Sequence, residues 1–153
     1  MNKTIDPRMH SAEHILNRTM DRAFACGRSF NAHVEKKKSK CDYRFDRALS
    51  DEEIRSIETK VNEVIRENLP VTEFFSSKQE AMDRYNLGKL PADAGDTIRI
   101  VRIGDYDACP CIGPHVGQTG EIGRFVIVST EFKERFLRVR FKLEQDPAAD
   151  PSS

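Results

Sequence analysis

An alternating stretch near the end of the chain constrains the fold most strongly. Within RFLRVRFKL at 135–143, the apolar side chains at 137, 139, 141 and 143 alternate with Arg138, Arg140 and Lys142. Because successive side chains of a strand point to opposite faces, this pattern predicts a strand with one buried and one solvated face. Similar runs at 97–104 and 122–130 predict two more strands, so the chain requires a sheet with one covered side.

Helical segments that can cover such a sheet precede these strands. Apolar residues at helical spacing predict a helix from 8 to about 26, with Gly27 as its stop. Ser50 and Glu53 form a capping-box pattern before a second helix that ends ahead of Pro70, and Ser77 with Glu80 repeats it before a short helix ending near Tyr85. Further strands are expected at 29–35, 41–46 and 71–75, the first two joined by the lysine turn 36–40.

Together these elements predict an α+β fold: a mostly antiparallel sheet with helices packed on one face. One domain is expected over residues 1–143, followed by a flexible tail at 144–153 whose sequence is rich in Pro, Ala, Asp and Ser. A chain of 153 residues is long enough for one core without disulfides.

Composition excludes several classes of protein. Apolar residues make up 38% and charged residues 33%, and 25 basic side chains balance 25 acidic ones. No run approaches the roughly 18 apolar residues of a membrane-spanning helix, and the N-terminus does not resemble an export signal. We therefore expect a cytoplasmic location, in which the four cysteines stay reduced. The charge balance argues against coating nucleic acid by bulk electrostatics but permits a local basic face.

Two clusters carry metal-ligand spacing. His10 and His14 are four residues apart on the first predicted helix, which places both rings on one face. Cys111 and His115 are spaced C-x-x-x-H in a Gly/Pro-rich segment. Three imidazoles and one thiolate suit tetrahedral Zn²⁺. Each pair alone is more often accidental, and Cys109 could replace Cys111 as the ligand, since spacing does not separate them.

Glu13 admits more than one role. The segment His10–His14 also matches H-x-x-E-H, the inverted zinc-protease pattern in which Glu13 would be the base. That interpretation leaves Cys111 and His115 without a function. Otherwise Glu13 is a general base for another hydrolysis, a helix carboxylate facing solvent, or a hydrogen-bond partner of a histidine.

The motifs resemble the editing domain of alanyl-tRNA synthetase and its freestanding relatives, the AlaX-type proteins. The similar segments are HSAEHIL at 10–16, RFDRALSDEEIRSIETKVNEVIRENLPV at 44–71, IRIVRIGDY at 98–106 and CIGPHVGQTGEIGRFVIVS at 111–129. The resemblance covers most of residues 8–143. It implies the fold shared with the threonyl-tRNA synthetase editing domain, in a short AlaX-type protein without an aminoacylation domain.

The resemblance also implies a function and a ligand set. The function is trans-editing, in which an aminoacyl-tRNA deacylase hydrolyses serine or glycine from mischarged tRNA for alanine. The implied zinc ligands are His10, His14, Cys111 and His115. By position, Gly113 and the segment 117–120 offer backbone N–H donors, and Thr119 and Gln118 could read the serine hydroxyl. The implied tRNA acceptor end would meet basic side chains, for which the candidates are Lys36, Lys37, Lys38, Lys40, Arg138, Arg140 and Lys142.

Three positions depart from the family pattern. Ile112, Gly113 and Pro114 replace the usual Gly-Gly-Thr before the last histidine, and C-x-G-P-H is closer to the bacterial threonyl-tRNA synthetase sequence. Glu13 stands where threonine is common, and Cys109-Pro110 is unusual before the ligand cysteine. Two alternatives therefore stay open: hydrolysis of serine from tRNA for threonine, and a zinc-containing module that binds tRNA without hydrolysis.

Overall fold

The first helix is fixed by a cap at each end. The computed structural model of the chain describes residues 6–85 and 96–144. Helix α1 spans Pro7–Phe24, and the Asp6 carboxylate at its N-cap accepts hydrogen bonds from the N–H groups of Arg8 and Met9. The helix ends before the predicted Gly27 stop because the left-handed backbone of Ala25 (φ 54°) turns the chain away, after the Ala25 N–H has made the last helical hydrogen bond to the Asp21 carbonyl.

The other two helices begin where the serines predicted. Helix α2 spans Asp51–Arg66, and the full capping box of Ser50 and Glu53 is present. Helix α3 spans Lys78–Arg84; the Ser77 hydroxyl accepts the Glu80 N–H. The Glu80 carboxylate accepts a hydrogen bond from the Ser76 hydroxyl, at 3.4 Å. None of the described helices is both long and apolar enough to span a membrane.

Seven described strands form two antiparallel sheets. The strands are β1 Asn31–His33, β2 Ser39–Arg44, β3 Val71–Ser77, β4 Thr97–Ile103, β5 Asp107–Pro110, β6 Arg124–Lys133 and β7 Phe136–Glu144. One sheet has the order β1-β2-β7-β6 and the other β3-β4-β5. The predicted α+β class and antiparallel pairing are confirmed, but the strands divide between two sheets, and β5 was not predicted. Most of the predicted tail, residues 145–153, lies outside the described residues.

The main core lies between the four-stranded sheet and helices α1 and α2. In β7 the side chains of Leu137, Val139 and Phe141 are buried, as the alternation predicted. They pack with apolar residues of both helices, including Leu16, Met20 and Val61. A smaller cluster, in which Ala81 of α3 meets Ile98 and Ile100 of β4, packs α3 against the second sheet.

This arrangement places the histidine-bearing part of α1 beside the second sheet. Strand β5 pairs only with β4 among the described strands, with Cys109 opposite Val101, and α1 contacts β5. The segment that leaves β5 therefore passes along α1, which positions the residues after Pro110 against the first turns of that helix.

Candidate metal centre

Four side chains with metal-binding atoms converge between α1 and the segment after β5. His10 and His14 lie one turn apart on α1, and Cys111 and His115 approach them from the other side. One donor atom from each residue lies within 4.8 Å of every other. The Cys111 Sγ is 3.2 Å from His10 Nε2 and 3.5 Å from His115 Nε2. The two sequence clusters, about 100 residues apart, thus share one site.

Hydrogen bonds orient two of the imidazoles. His10 Nδ1 lies 3.0 Å from the Pro114 carbonyl oxygen, to which it can only donate. His115 Nδ1 lies 2.9 Å from the Ser11 hydroxyl, which also accepts the Val116 N–H. Outer hydrogen bonds of this kind hold ligating histidines in position, and here the Nε2 atoms of His10 and His115 face the Cys111 sulfur.

A buried carboxylate that sequence reasoning missed stands beside the third imidazole. Asp107 Oδ2 is 3.6 Å from His14 Nδ1, and Asp107 accepts hydrogen bonds from Arg18 and Arg28, each at 2.9 Å. His14 Nδ1 is buried and has no hydrogen-bond partner among the described residues. Its geometry suits a histidine whose other nitrogen faces an ion. Asp107 lies in the unpredicted strand β5, and no spacing in the sequence marked it.

The electrostatics of the cluster favour a thiolate. Burial alone would raise the pKa of Cys111, but hydrogen bonds from His10, His115 and His14 lower it to about 3. Burial alone would lower the pKa of His14, but Asp107, Cys109 and Cys111 raise it well above its usual value. Burial is the main reason that the pKa of His115 falls to about 4. The lowered pKa favours the thiolate form of Cys111, which is the form that binds a metal ion.

Gly113 allows the segment to pass close to His10. A Cβ atom at this position would lie 2.4 Å from His10 Cε1. Arg99 fixes the segment from the other side, donating to the carbonyls of Gly113 at 2.8 Å and Cys111 at 3.1 Å. Packing against the ring of His10, a candidate ligand, therefore explains why this position holds glycine. The use of the Gly113 N–H as a hydrogen-bond donor stays a prediction.

Glu13 is buried, so it is not a helix carboxylate facing solvent. Its Oε2 accepts a hydrogen bond from Asn17 at 3.1 Å, and its Oε1 lies 3.8 Å from His14 Nε2. Asn17 is held in turn by the Tyr43 hydroxyl at 2.8 Å and the Ser29 N–H at 3.2 Å. This network fixes a carboxylate next to the cluster.

Thr119 is fully buried, and its hydroxyl joins elements of the fold. It accepts the Leu69 N–H at 2.8 Å and lies 3.0 Å from the Val64 carbonyl at the end of α2. These contacts give Thr119 a structural role, and its use in catalysis stays a prediction. Gln118 is exposed, and the Gly120 N–H is bonded to Asn68.

Cys109 remains a second candidate thiol. Its sulfur groups with His14 and Asp107, whereas Cys111 groups with all three histidines. All four cysteines are free thiols, and Cys41 is buried in the main core, as expected for a small apolar residue.

The predicted basic residues differ in how far their charge is neutralised. Arg138 makes two hydrogen bonds to Asp42, Arg140 pairs with Glu131, and Lys142 lies 3.3 Å from Glu144. The row along β7 is therefore largely charge-paired. The turn lysines 36–38 are exposed and make no ion pair within the described part of the chain.

Comparisons with known proteins agree with the motifs. Residues 98–138 match the family described as the threonyl and alanyl tRNA synthetase second additional domain. The chain is similar to alanine–tRNA ligase of Francisella tularensis subsp. novicida, with 35% identity over 127 residues, covering 78% of the chain and 14% of that protein. It is similar to the same ligase of Fervidobacterium nodosum, with 36% identity over 123 residues, covering 80% of the chain and 14% of that protein.

A third relative extends the match. Alanine–tRNA ligase of Methanopyrus kandleri is 34% identical over 145 residues, covering 88% of the chain and 15% of the ligase. The chain thus spans about one seventh of the length of the relatives it matches. Residues 98–138 therefore carry the second additional domain shared by threonyl and alanyl tRNA synthetases, and the chain is related to alanine–tRNA ligase over 78–88% of its length.

Proposed function

We propose that the protein is a trans-editing aminoacyl-tRNA deacylase of the cytoplasm, which hydrolyses serine or glycine from tRNA for alanine. The observation that carries this proposal is the convergence of His10, His14, Cys111 and His115 in a chain related to alanine–tRNA ligase. The relatives named above are alanine–tRNA ligases, so tRNA for alanine is the proposed substrate.

The donor set fits Zn²⁺. Three imidazoles and a thiolate with a low pKa are ligands that zinc prefers. Bound there, zinc would supply a positive charge that polarises the ester carbonyl or organises the aminoacyl pocket. Four protein ligands are typical of a structural ion, and the proposal requires only that the ion hold the pocket together.

The chain's own residues would then align water and substrate. An aminoacyl ester is already activated, so hydrolysis needs a positioned water and a donor for the developing oxyanion. Glu13 is the carboxylate that the Asn17 network fixes beside His14, and we assign it to accept the proton of the attacking water. The Gly113 N–H, close to His10, is the proposed oxyanion donor.

A second substrate is supported by the segment before the last histidine. Ile112-Gly113-Pro114 resembles the threonyl-tRNA synthetase sequence, and the matching family includes both synthetases. Serine on tRNA for threonine is therefore the alternative substrate.

The test is a deacylation panel with zinc-loaded protein. Its substrates are Ser-tRNA and Gly-tRNA for alanine, Ser-tRNA for threonine, and correctly charged Ala-tRNA as the control. We expect rapid release of serine or glycine, spared Ala-tRNA, and loss of activity in His10→Ala but not in Cys26→Ala. If no amino acid is released from any of the three mischarged tRNAs faster than in buffer, the enzyme hypothesis is contradicted. The non-catalytic tRNA-binding module is then favoured. If ester hydrolysis persists in Glu13→Gln, Glu13 is not the base.

A further inference from the structure

A cavity beside the metal centre is lined by three arginines. It has a volume of about 240 Å³ and lies between α1, α3 and β5. Arg18 and Arg28 form one wall, Arg84 and Tyr85 at the end of α3 form another, and Cys109 and Pro110 of β5 complete it. Apart from Cys109, the second candidate thiol, none of these residues belongs to the candidate metal centre, and the proposed hydrolysis does not use them.

The three guanidinium groups keep unused donors. Arg18 gives only its Nε to Asp107, so neither terminal nitrogen has a partner in the described part of the chain. Arg28 donates through both terminal nitrogens to the same carboxylate and keeps its Nε. Arg84 is exposed and makes no side-chain hydrogen bond or ion pair within residues 6–85 and 96–144. A guanidinium has five N–H donors, so the cavity offers several to a ligand.

The charges around the cavity suit a ligand with a single negative charge. Asp107 lies behind the wall and is already paired with Arg18 and Arg28. Asp21 is the one carboxylate in the described lining, and its Oδ1 accepts the Gly27 N–H. Arg84 is the one arginine of the lining without a partner among the described residues, and its single positive charge matches one phosphodiester. Planar guanidinium groups recognise phosphate oxygens in pairs.

The position of the cavity fits the end of an RNA strand. Arg18 and Arg28 bond the same carboxylate that lies 3.6 Å from His14 Nδ1, and Cys109 and Pro110 immediately precede Cys111. If the aminoacyl ester of the terminal nucleotide lay at the metal centre, the phosphodiester of that nucleotide would lie about one nucleoside away from the centre. Tyr85 in the same lining is partly buried against the Ala81 cluster, and the part left exposed is an aromatic surface on which a base can stack.

We propose that this arginine cavity binds a phosphodiester of single-stranded RNA at the tRNA acceptor end. This inference rests on the proposed function for its ligand. Arg84 is the residue to test, because replacing Arg18 or Arg28 would also leave the buried Asp107 carboxylate underpaired.

The experiment is an NMR titration of the full chain with the uncharged tetranucleotide ACCA at two salt concentrations. In Arg84→Gln we expect about tenfold weaker binding and a salt slope lower by about 0.7. Arg55→Gln is the matched control, since Arg55 is also an exposed helical arginine without an ion pair among the described residues. Tyr85→Leu should weaken binding several-fold, while Tyr85→Phe should retain it.

If the affinity for ACCA and its salt slope are unchanged in Arg84→Gln, the inference is overturned. Binding of inorganic phosphate as tight as that of ACCA would also overturn it. The probe carries no ester, so the result does not depend on hydrolysis. If the protein is inactive in the deacylation panel but its ACCA binding depends on Arg84, the enzyme hypothesis is rejected and the proposed RNA-binding cavity is kept. If the protein deacylates a mischarged tRNA but its ACCA binding does not depend on Arg84, only the proposed role of the cavity is rejected.

Discussion

At the scale of single residues, the candidate centre depends on donor atoms from two clusters. We expect about one zinc ion per purified chain, and a large loss in His10→Ala or Cys111→Ala, because each removes one of four ligands. Elemental analysis of the purified variants measures this. Cys26→Ala is the control, since its thiol lies outside the cluster. Full zinc content in Cys111→Ala would show that Cys109 or another group is the sulfur ligand.

A second residue-scale prediction concerns Gly113. In Gly113→Ala the new methyl group would meet the His10 ring at 2.4 Å, so either the imidazole or the segment must shift. We expect metal affinity to fall by about tenfold or more, the effect typical of disturbing the groups that orient a ligand. Competition with a chromogenic chelator measures it. Gly117→Ala is the matched control, because its Cβ would meet only the movable end of Glu121 at 3.3 Å; equal affinity in both variants would contradict the packing argument.

Among the site residues, the sequence predicted those with recognisable spacing and missed those without it. His10, His14, Cys111 and His115 could be paired because helical and C-x-x-x-H spacings are local. Asp107, Arg18 and Arg28 meet across 79 to 89 residues of chain, and single carboxylates and arginines are too common to signal such a contact. Thr119 was chosen by its proximity in sequence to His115, whereas its hydroxyl points to the end of α2.

At the scale of elements, the α2 capping box predicts a pH dependence. Hydrogen bonds from Arg47 and from the Ser50 N–H lower the pKa of Glu53 from 4.5 to about 2. A carboxyl whose pKa is lower in the folded state stabilises the fold fully above pH 4.5, and loses that contribution as the pH falls from 4.5 through about 2. We therefore expect wild type to be more stable than Glu53→Gln near neutral pH, with a difference that shrinks across this window.

Urea unfolding at a series of pH values measures the difference. Glu52→Gln is the control, because Glu52 lies in the same first turn but makes no side-chain hydrogen bond in the described structure. A difference between wild type and Glu53→Gln that stays constant from pH 5 to about 2 would contradict the assignment.

The elements also show where local patterns stop being informative. Ser50 and Glu53 specify a helix start within four residues, so the start of α2 was predicted to the residue. Strand β5 has four residues and ends in Pro110, so it has too little alternation to detect. The division into two sheets depends on which strands pair, and pairing partners such as Tyr43 and Leu137 are far apart in sequence.

At the scale of the whole molecule, the candidate centre joins helix α1 to the segment that follows the smaller sheet. His10 and His14 belong to α1, which packs in the main core, while Cys111 follows the edge strand of the smaller sheet. The contact between Cys111 and His10 closes 101 residues of chain. An ion bound to both would stabilise the folded state, since the unfolded chain does not hold the four donors together.

This coupling predicts that zinc and global stability rise and fall together. At a free zinc concentration of 100 times the dissociation constant, binding adds about 2.7 kcal/mol to the free energy of unfolding, so chelation should lower the Tm of the wild-type protein. In Cys111→Ser the Tm should be low and nearly insensitive to chelator, whereas Cys26→Ala should respond like wild type. Differential scanning fluorimetry at fixed zinc activities makes the measurement. Equal melting of zinc-loaded and chelated wild type would mean that α1 and the segment after β5 are held together by the protein alone.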